Sequence, residues 1–338
     1  MNELLEKINH PPVKYGKTGV LIVNLGTPDS TDWWDVRRYL KEFLSDKRVI
    51  ETNPFLWWII LNFIILNLRP HKSAKAYKKI WMKETNESPL RFYTKSQAEK
   101  LVVKFGQQQN VIVDYAMRYG NPSIKSKLDN LQKQGCEKLI ILPLYPQYAA
   151  ATTATVCDEV YRNLMKMRWQ PSLQIIPHYE SEPLYIEALS NSINEHLKKI
   201  SWIPDVILSS FHGIPKKYFD KGDPYQCYCH KTNRLLKEKF GNKIPIEISF
   251  QSRFGPAEWL QPYTDKTLER LAKEGKTNIL MICPGFSADC VETLEEIEME
   301  GQATFKESGG KNFSMVPCLN DSEDHINLLE HLIKKHLV

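Results

Sequence analysis

Residues 205–215, DVILSSFHGIP, decide the fold. Val206, Ile207 and Leu208 form a short apolar run, two serines follow, and Gly213 and Pro215 stop it. A run of this length and composition, bounded by turn residues, is a buried strand. His212 then lies at or just past the strand's carboxyl end, where open α/β sheets bind their ligands. Taken alone, a histidine in that place is more often structural than catalytic.

Working outward, strand ends of the same kind recur. VLIVNLGTP (20–28) resembles VILSSFHGIP (206–215), AMRYGNP (116–122) resembles QSRFGP (251–256), and KLIILPLYP (138–146) resembles NILMICPGF (278–286). Each pairing is weak, but the three occur in one order. Two related Rossmann-like halves explain this, with an insertion over roughly 45–100 in the first. The pattern between them agrees. Strands are expected at 20–25, 111–117, 139–143, 173–176, 206–212, 246–250, 279–283 and 313–316. Helices are expected at 32–45, 95–105, 123–134, 152–166, 183–199, 225–240, 264–273, 290–301 and 322–337. Such alternation argues for an α/β fold of parallel sheets flanked by helices. The expected domains are 17–180 and 181–319, with 320–338 crossing back onto the first. Facing halves of this kind leave one shared cleft between their strand ends.

A chain of 338 residues suits two such domains. Its formal charge of +5, without a basic stripe interleaved with aromatics, argues against nucleic-acid binding. Gly26-Thr27-Pro28 is no G-x-G-x-x-G, so a nucleotide phosphate cradle is absent. The N-terminal MNELLEKINHPPVKYGK has no apolar core, so no secretory signal is expected. Seven scattered cysteines fit reduced thiols and a cytoplasmic location. Cys227, Cys229 and His230 form a C-x-C-H, read as plain thiols because an iron–sulfur cluster needs four ligands. Composition does not fix the oligomeric state; a monomer is the working expectation.

Residues 54–68, PFLWWIILNFIILNL, carry no charge, and a basic run follows with Arg69, His71, Lys72, Lys75, Lys78 and Lys79. A bilayer crossing takes ~20 apolar residues, so this stretch is short. It reads as a greasy lip over a hydrophobic ligand, with Phe55, Trp57 and Trp58 as its apolar contacts, or as a helix lying in a membrane interface. Peripheral contact at the inner face of the membrane is therefore expected.

The second centre is CPGFSADCVETLEE, 283–296. Asp289, Glu292 and Glu296, at i, i+3 and i+7, are expected to stack on one helix face that continues a strand end toward His212. Glu295, Glu298 and Glu300 read as a solvated surface. Histidine and carboxylate together can hold a borderline divalent metal such as Fe(II), and can pass protons near neutrality.

With these motifs assembled, the chain resembles the bacterial ferrochelatases, which insert Fe(II) into a porphyrin to make haem. The resemblance runs from about Gly19 to His336. It rests on NLGTP (24–28), YPQYAAATT (145–153), SFHGIP (210–215) with GDPY (222–225), QSRFGPAEWLQP (251–262) and PGFSADCVETLEEI (284–297). It implies a porphyrin cleft between the two domains, with protoporphyrin IX and Fe(II) as substrates and no required cofactor. It implies His212 as iron ligand or acceptor of pyrrole protons, and Glu292 as its carboxylate partner in catalysis and metal binding. Asp289 and Glu296 would be a proton or iron path. Arg118, Tyr119, Trp259 and Phe286 would face the porphyrin, and 54–68 would be the lip. Cys290 stands where many relatives carry histidine, and it is not read as a ligand. Asp29 stands where some have an aromatic residue, so no axial phenol is expected there. The C-terminal extension of animal members, with its cluster cysteines, is not present in this sequence.

The chemistry explains the residue types. A free-base porphyrin hides its central lone pairs in a plane and carries two N–H groups. A site that holds the ring out of plane exposes a pyrrole nitrogen, at a strain cost offset by binding the rest of the ring. A neutral imidazole can then take the proton, and Arg118 could meet a propionate. A chelatase for coproporphyrin or a cobalt-binding precursor is the alternative enzyme. Coproporphyrin's additional carboxylates call for a more basic, less greasy site. A haem or metal carrier would not need histidine and an acidic relay together.

Overall fold

A computed structural model of the chain describes residues 13–106, 110–241 and 243–337. Its framework is two four-stranded parallel sheets. The first comprises β1 (Lys17–Thr27), β2 (Val111–Gly120), β3 (Cys136–Pro143) and β4 (Ser172–Ile175), in the order β2-β1-β3-β4. The second comprises β5 (Val206–His212), β6 (Ile246–Gln251), β7 (Asn278–Ile282) and β8 (Asn312–Met315), in the order β6-β5-β7-β8. The two orders coincide when β5 is set on β1, which is the arrangement the recurring strand ends required.

The helices in chain order are α1 (Trp33–Leu44), α2 (Pro54–Ile60), α3 (Leu66–Ile80), α4 (Pro89–Phe105), α5 (Ile124–Lys133), α6 (Thr155–Leu164), α7 (Pro183–Leu197), α8 (Lys216–Asp220), α9 (Tyr225–Phe240), α10 (Thr264–Lys273), α11 (Gln302–Glu307) and α12 (Glu323–Lys334). Strand side chains alternate between two covered faces. Val20 and Ile22 of β1 enter one apolar cluster, and Leu21 and Val23 enter another. The first cluster spans both sheets. It joins Leu142, Ile207 and Leu280 to Leu101 of α4, Leu189 of α7 and Leu329 of α12, so the halves share a core. α12 packs against α4 and α7.

Three local differences from the sequence reading have physical causes. α4 begins six residues earlier than expected, because Ser88 accepts a hydrogen bond from Arg91 N at 3.3 Å and Pro89 sits in the first turn. After β2, the chain turns back so that Met117 N donates to Pro122 O at 2.7 Å, and after β6 the same bond joins Phe250 N to Pro262 O at 2.8 Å. Pro262, not Pro256, is thus the counterpart of Pro122, and residues 252–261 form an additional loop in the second half. The expected helix at 290–301 is instead a wide π-helix, Glu292–Gly301, continued by α11.

Candidate active site

His212 is the last residue of β5 and is half-buried. Its Nδ1 lies 2.6 Å from the carbonyl oxygen of Gly213. A carbonyl only accepts, so Nδ1 carries the proton and Nε2 presents a lone pair. Gly213 N donates in turn to Gln251 O at 2.8 Å. A Cβ at position 213 would sit 2.9 Å from that oxygen and 3.3 Å from Trp259 Cε3, so the close approach requires glycine. The rings of Trp259 and Phe286 flank His212, each with its centroid at 6.5 Å. Trp259 is fixed by its indole N–H, which donates to Phe254 O at 2.9 Å within the additional loop.

β7 leads through Pro284 and Gly285 to the acidic segment. Extended π-helices are rare and concentrate at functional sites. The expected stack of three carboxylates on one face does not form. Asp289 precedes the helix and is buried, and its carboxylate accepts from Asn320 Nδ2 at 2.7 Å, Thr293 Oγ1 at 3.1 Å and Cys318 N at 3.2 Å. A buried carboxylate just ahead of a helix is satisfied by donors of its first turn and of the adjoining loop. Glu296 accepts from Ser252 N at 2.7 Å and Ser252 Oγ at 2.5 Å. Burial holds its carboxyl above the usual carboxylate value; the Ser252 donors and His212 pull it back, and neighbouring Glu292 pushes it up again. Glu292, Glu296 and His212 thus share one electrostatic neighbourhood. Glu296 and Glu300 both line a cavity of about 220 Å³ with Ser252 and Asp265. Glu300, read as solvated surface, is indeed exposed at the rim of that cavity. Glu295 pairs with Lys79 of α3 at 2.7 Å, and Glu298 is exposed.

The first half supplies the opposite wall. Tyr39 of α1 and Tyr77 of α3 are buried, and burial together with nearby Glu292 pushes both phenols up. Arg69 of α3 lies 4.6 Å over the Phe254 ring; burial lowers its guanidinium from the ordinary value and Glu292 raises it. Reading Arg69 as one member of a basic run had hidden this placement. Arg118, at the end of β2, is buried. Its Nε donates to Thr155 O at 2.8 Å and its Nη2 to Asp46 at 2.5 Å, while the Tyr119 hydroxyl donates to the same carboxylate at 3.0 Å. The expected propionate contact therefore meets a guanidinium whose charge Asp46 already answers, and the Arg118–Asp46–Tyr119 group fixes the turn after α1.

The lip is a continuous run of α2, a π segment (Leu61–Ile65) and α3. Asn53 caps it, accepting from Phe55 N and Leu56 N. Phe55 (73% exposed), Trp58 (57%), Phe63 (65%) and Leu68 (69%) face outward. Trp57 does not: its indole N–H donates to Leu44 O at 2.7 Å. Asn62 and Asn67 turn their amides onto the helix's own carbonyls, Trp58 O at 2.8 Å and Phe63 O at 2.9 Å, and so leave the outer face apolar. Among the described residues no helix is long and apolar enough to cross a membrane.

Two parallel sheets of one strand order, with a histidine at one strand end and carboxylates on the π-helix that follows the neighbouring strand, form a chelatase-like scaffold. Solved chelatases share it. SirB from Bacillus subtilis, determined with Fe3+, aligns with a TM-score of 0.55 at 12% identity over 95% of both chains. CbiX, titled the terminal enzyme of sirohaem biosynthesis in denitrifying bacteria, aligns at 0.51 and 13% over 95% of this chain and 100% of its own. Identity this low speaks for the fold alone. The chain belongs to the ferrochelatase family: the family's sequence model, described as Ferrochelatase, matches residues 17–337. Relatives named Ferrochelatase include those of Allorhizobium ampelinum, 59% identical over 97% of this chain and 96% of its own, and of Francisella tularensis subsp. novicida, 56% identical over 96% and 97%.

Proposed function

We propose that this chain inserts Fe(II) into protoporphyrin IX, forming protohaem and releasing two protons, the last step of haem biosynthesis. The observation that carries the mechanism is the His212 tautomer. With Nδ1–H committed to Gly213 O, Nε2 is left as a base beside the two rings that would hold a flat macrocycle. Nε2 takes a pyrrole proton as the Fe–N bond forms, and Glu292 is the carboxylate that meets iron on the same side. Glu296, whose carboxyl burial holds above the usual carboxylate value, accepts protons from that centre or passes hydrated iron toward it. Trp259 and Phe286 are assigned to the porphyrin face, with Arg118 and Tyr119 supporting the opposite wall through Asp46. Iron is a substrate here, and no resident cofactor is assigned. The exposed apolar lip favours protoporphyrin over the more highly charged coproporphyrin, which comparative turnover on the two rings would decide. Zinc insertion into protoporphyrin, followed by fluorescence, tests the activity itself. Porphyrin bound without zinc product would identify a carrier instead.

The lip also supports peripheral attachment at the inner face of the membrane, through Phe55, Trp58, Phe63 and Leu68 beside the lysines of α3. Changing these four to serine is expected to abolish flotation with anionic vesicles. Trp57→Ser is expected to lower the melting temperature instead, because it breaks the Leu44 bond. Unchanged flotation of the fourfold variant removes the membrane reading.

A further inference from the structure

We propose that Gln251 is a positioning residue that sets His212 and Glu292 relative to one another. The inference rests on the assignment of those two residues to metal insertion. Gln251 is the last residue of β6 and the direct register partner of His212 on β5. It is 4% exposed, and both ends of its side-chain amide are engaged. Nε2 donates to the main-chain oxygen of Glu292 at 2.7 Å, and Oε1 accepts from Ser210 Oγ at 2.7 Å. The orientation is unambiguous, because the Glu292 carbonyl can only accept. Its own main-chain oxygen takes Gly213 N–H at 2.8 Å, and Gly213 O takes the Nδ1–H of His212. One residue therefore grips the peptide that fixes the histidine's tautomer and the first residue of the π-helix that carries the carboxylate.

Ser210 Oγ also lies 2.9 Å from Thr264 Oγ1, which lies 2.9 Å from Ser249 Oγ, so a buried hydroxyl chain backs the amide. Buried networks of this kind rigidify their members only while every group is satisfied. Removing the Gln251 amide leaves the Glu292 carbonyl and the Ser210 hydroxyl without this partner, and frees the π-helix start to shift against His212. The His212 main chain would stay in place, since β5–β6 pairing and the Gly213–Gln251 bond are main-chain contacts.

The variant is Gln251→Met, of similar length and apolar, with Gln251→Asn read in the same way should the first fail to fold. The expected result is about a tenfold fall in kcat for zinc insertion, with porphyrin affinity by fluorescence quenching unchanged within about twofold. In a Glu292→Gln background the same change is expected to cost less than about twofold, because the two act as a unit. Equal losses in both backgrounds, or an unchanged kcat while Glu292→Gln lowers it strongly, overturn the positioning role alone. Full activity in Glu292→Gln overturns the assignment of the site, and the positioning role with it.

Discussion

His212→Ala is expected to lower the rate of zinc or iron insertion about 10³-fold while porphyrin binding survives. The size follows from the role proposed for the imidazole: a positioned base typically contributes 10² to 10⁴. Binding should persist because the ring faces proposed to hold the porphyrin belong to Trp259 and Phe286, and the Trp259 indole is anchored to Phe254 O rather than to His212. Fluorescence quenching by added protoporphyrin measures binding, and the zinc product's emission measures insertion. Near-normal insertion with porphyrin bound would remove His212 from the chemistry. Loss of both signals would mean that the histidine holds the cleft rather than the proton.

The framework was legible because it is written locally. Strands covered on both faces are short apolar runs, and their ends repeat in one order, which the shared order of the two sheets reflects. His212 was legible for the same reason: position at a strand end needs no long-range contact. What escaped were features set by contacts far apart in sequence. Asp289 has the right spacing for a helical stripe, but it precedes the helix, and Asn320 and Cys318, some thirty residues on, supply its donors. Arg118 was read toward a propionate, and its pairing with Asp46 was not legible because Asp46 lies in another segment. Trp57 and Trp58 are neighbours of identical composition, yet the Leu44 carbonyl draws one inward and leaves the other out. The π-helix has no composition of its own, so an ordinary helix was expected where Glu292–Gly301 winds wide. Gln251 stood inside a quoted motif, but its bonds to Ser210 and Glu292 each bridge 41 residues.

Glu296→Gln is expected to weaken apparent metal affinity in the insertion assay by 10- to 100-fold, the usual cost of losing a group that supports a metal site, and to alter stability with a defined pH dependence. Burial holds the Glu296 carboxyl above its ordinary value of 4.5 even though two Ser252 donors and His212 oppose the shift. Between that ordinary value and the raised one, the folded chain keeps a proton that the unfolded chain has released. Stability contributed by this group therefore falls as pH rises through that window, and above it the buried charge is a fixed cost. Glutamine does not titrate. The melting temperature of Glu296→Gln minus that of the parent should be smallest below the ordinary value of 4.5 and grow as pH rises through the window, whatever the constant offset from the lost Ser252 bond. Activity should move the other way, since the ionised carboxylate, which costs stability, is the form proposed to receive protons or hydrated iron. A melting difference that stays flat with pH would show that Glu296 titrates as it does in the unfolded chain, and unchanged metal affinity would leave it a wall of the cavity rather than a path.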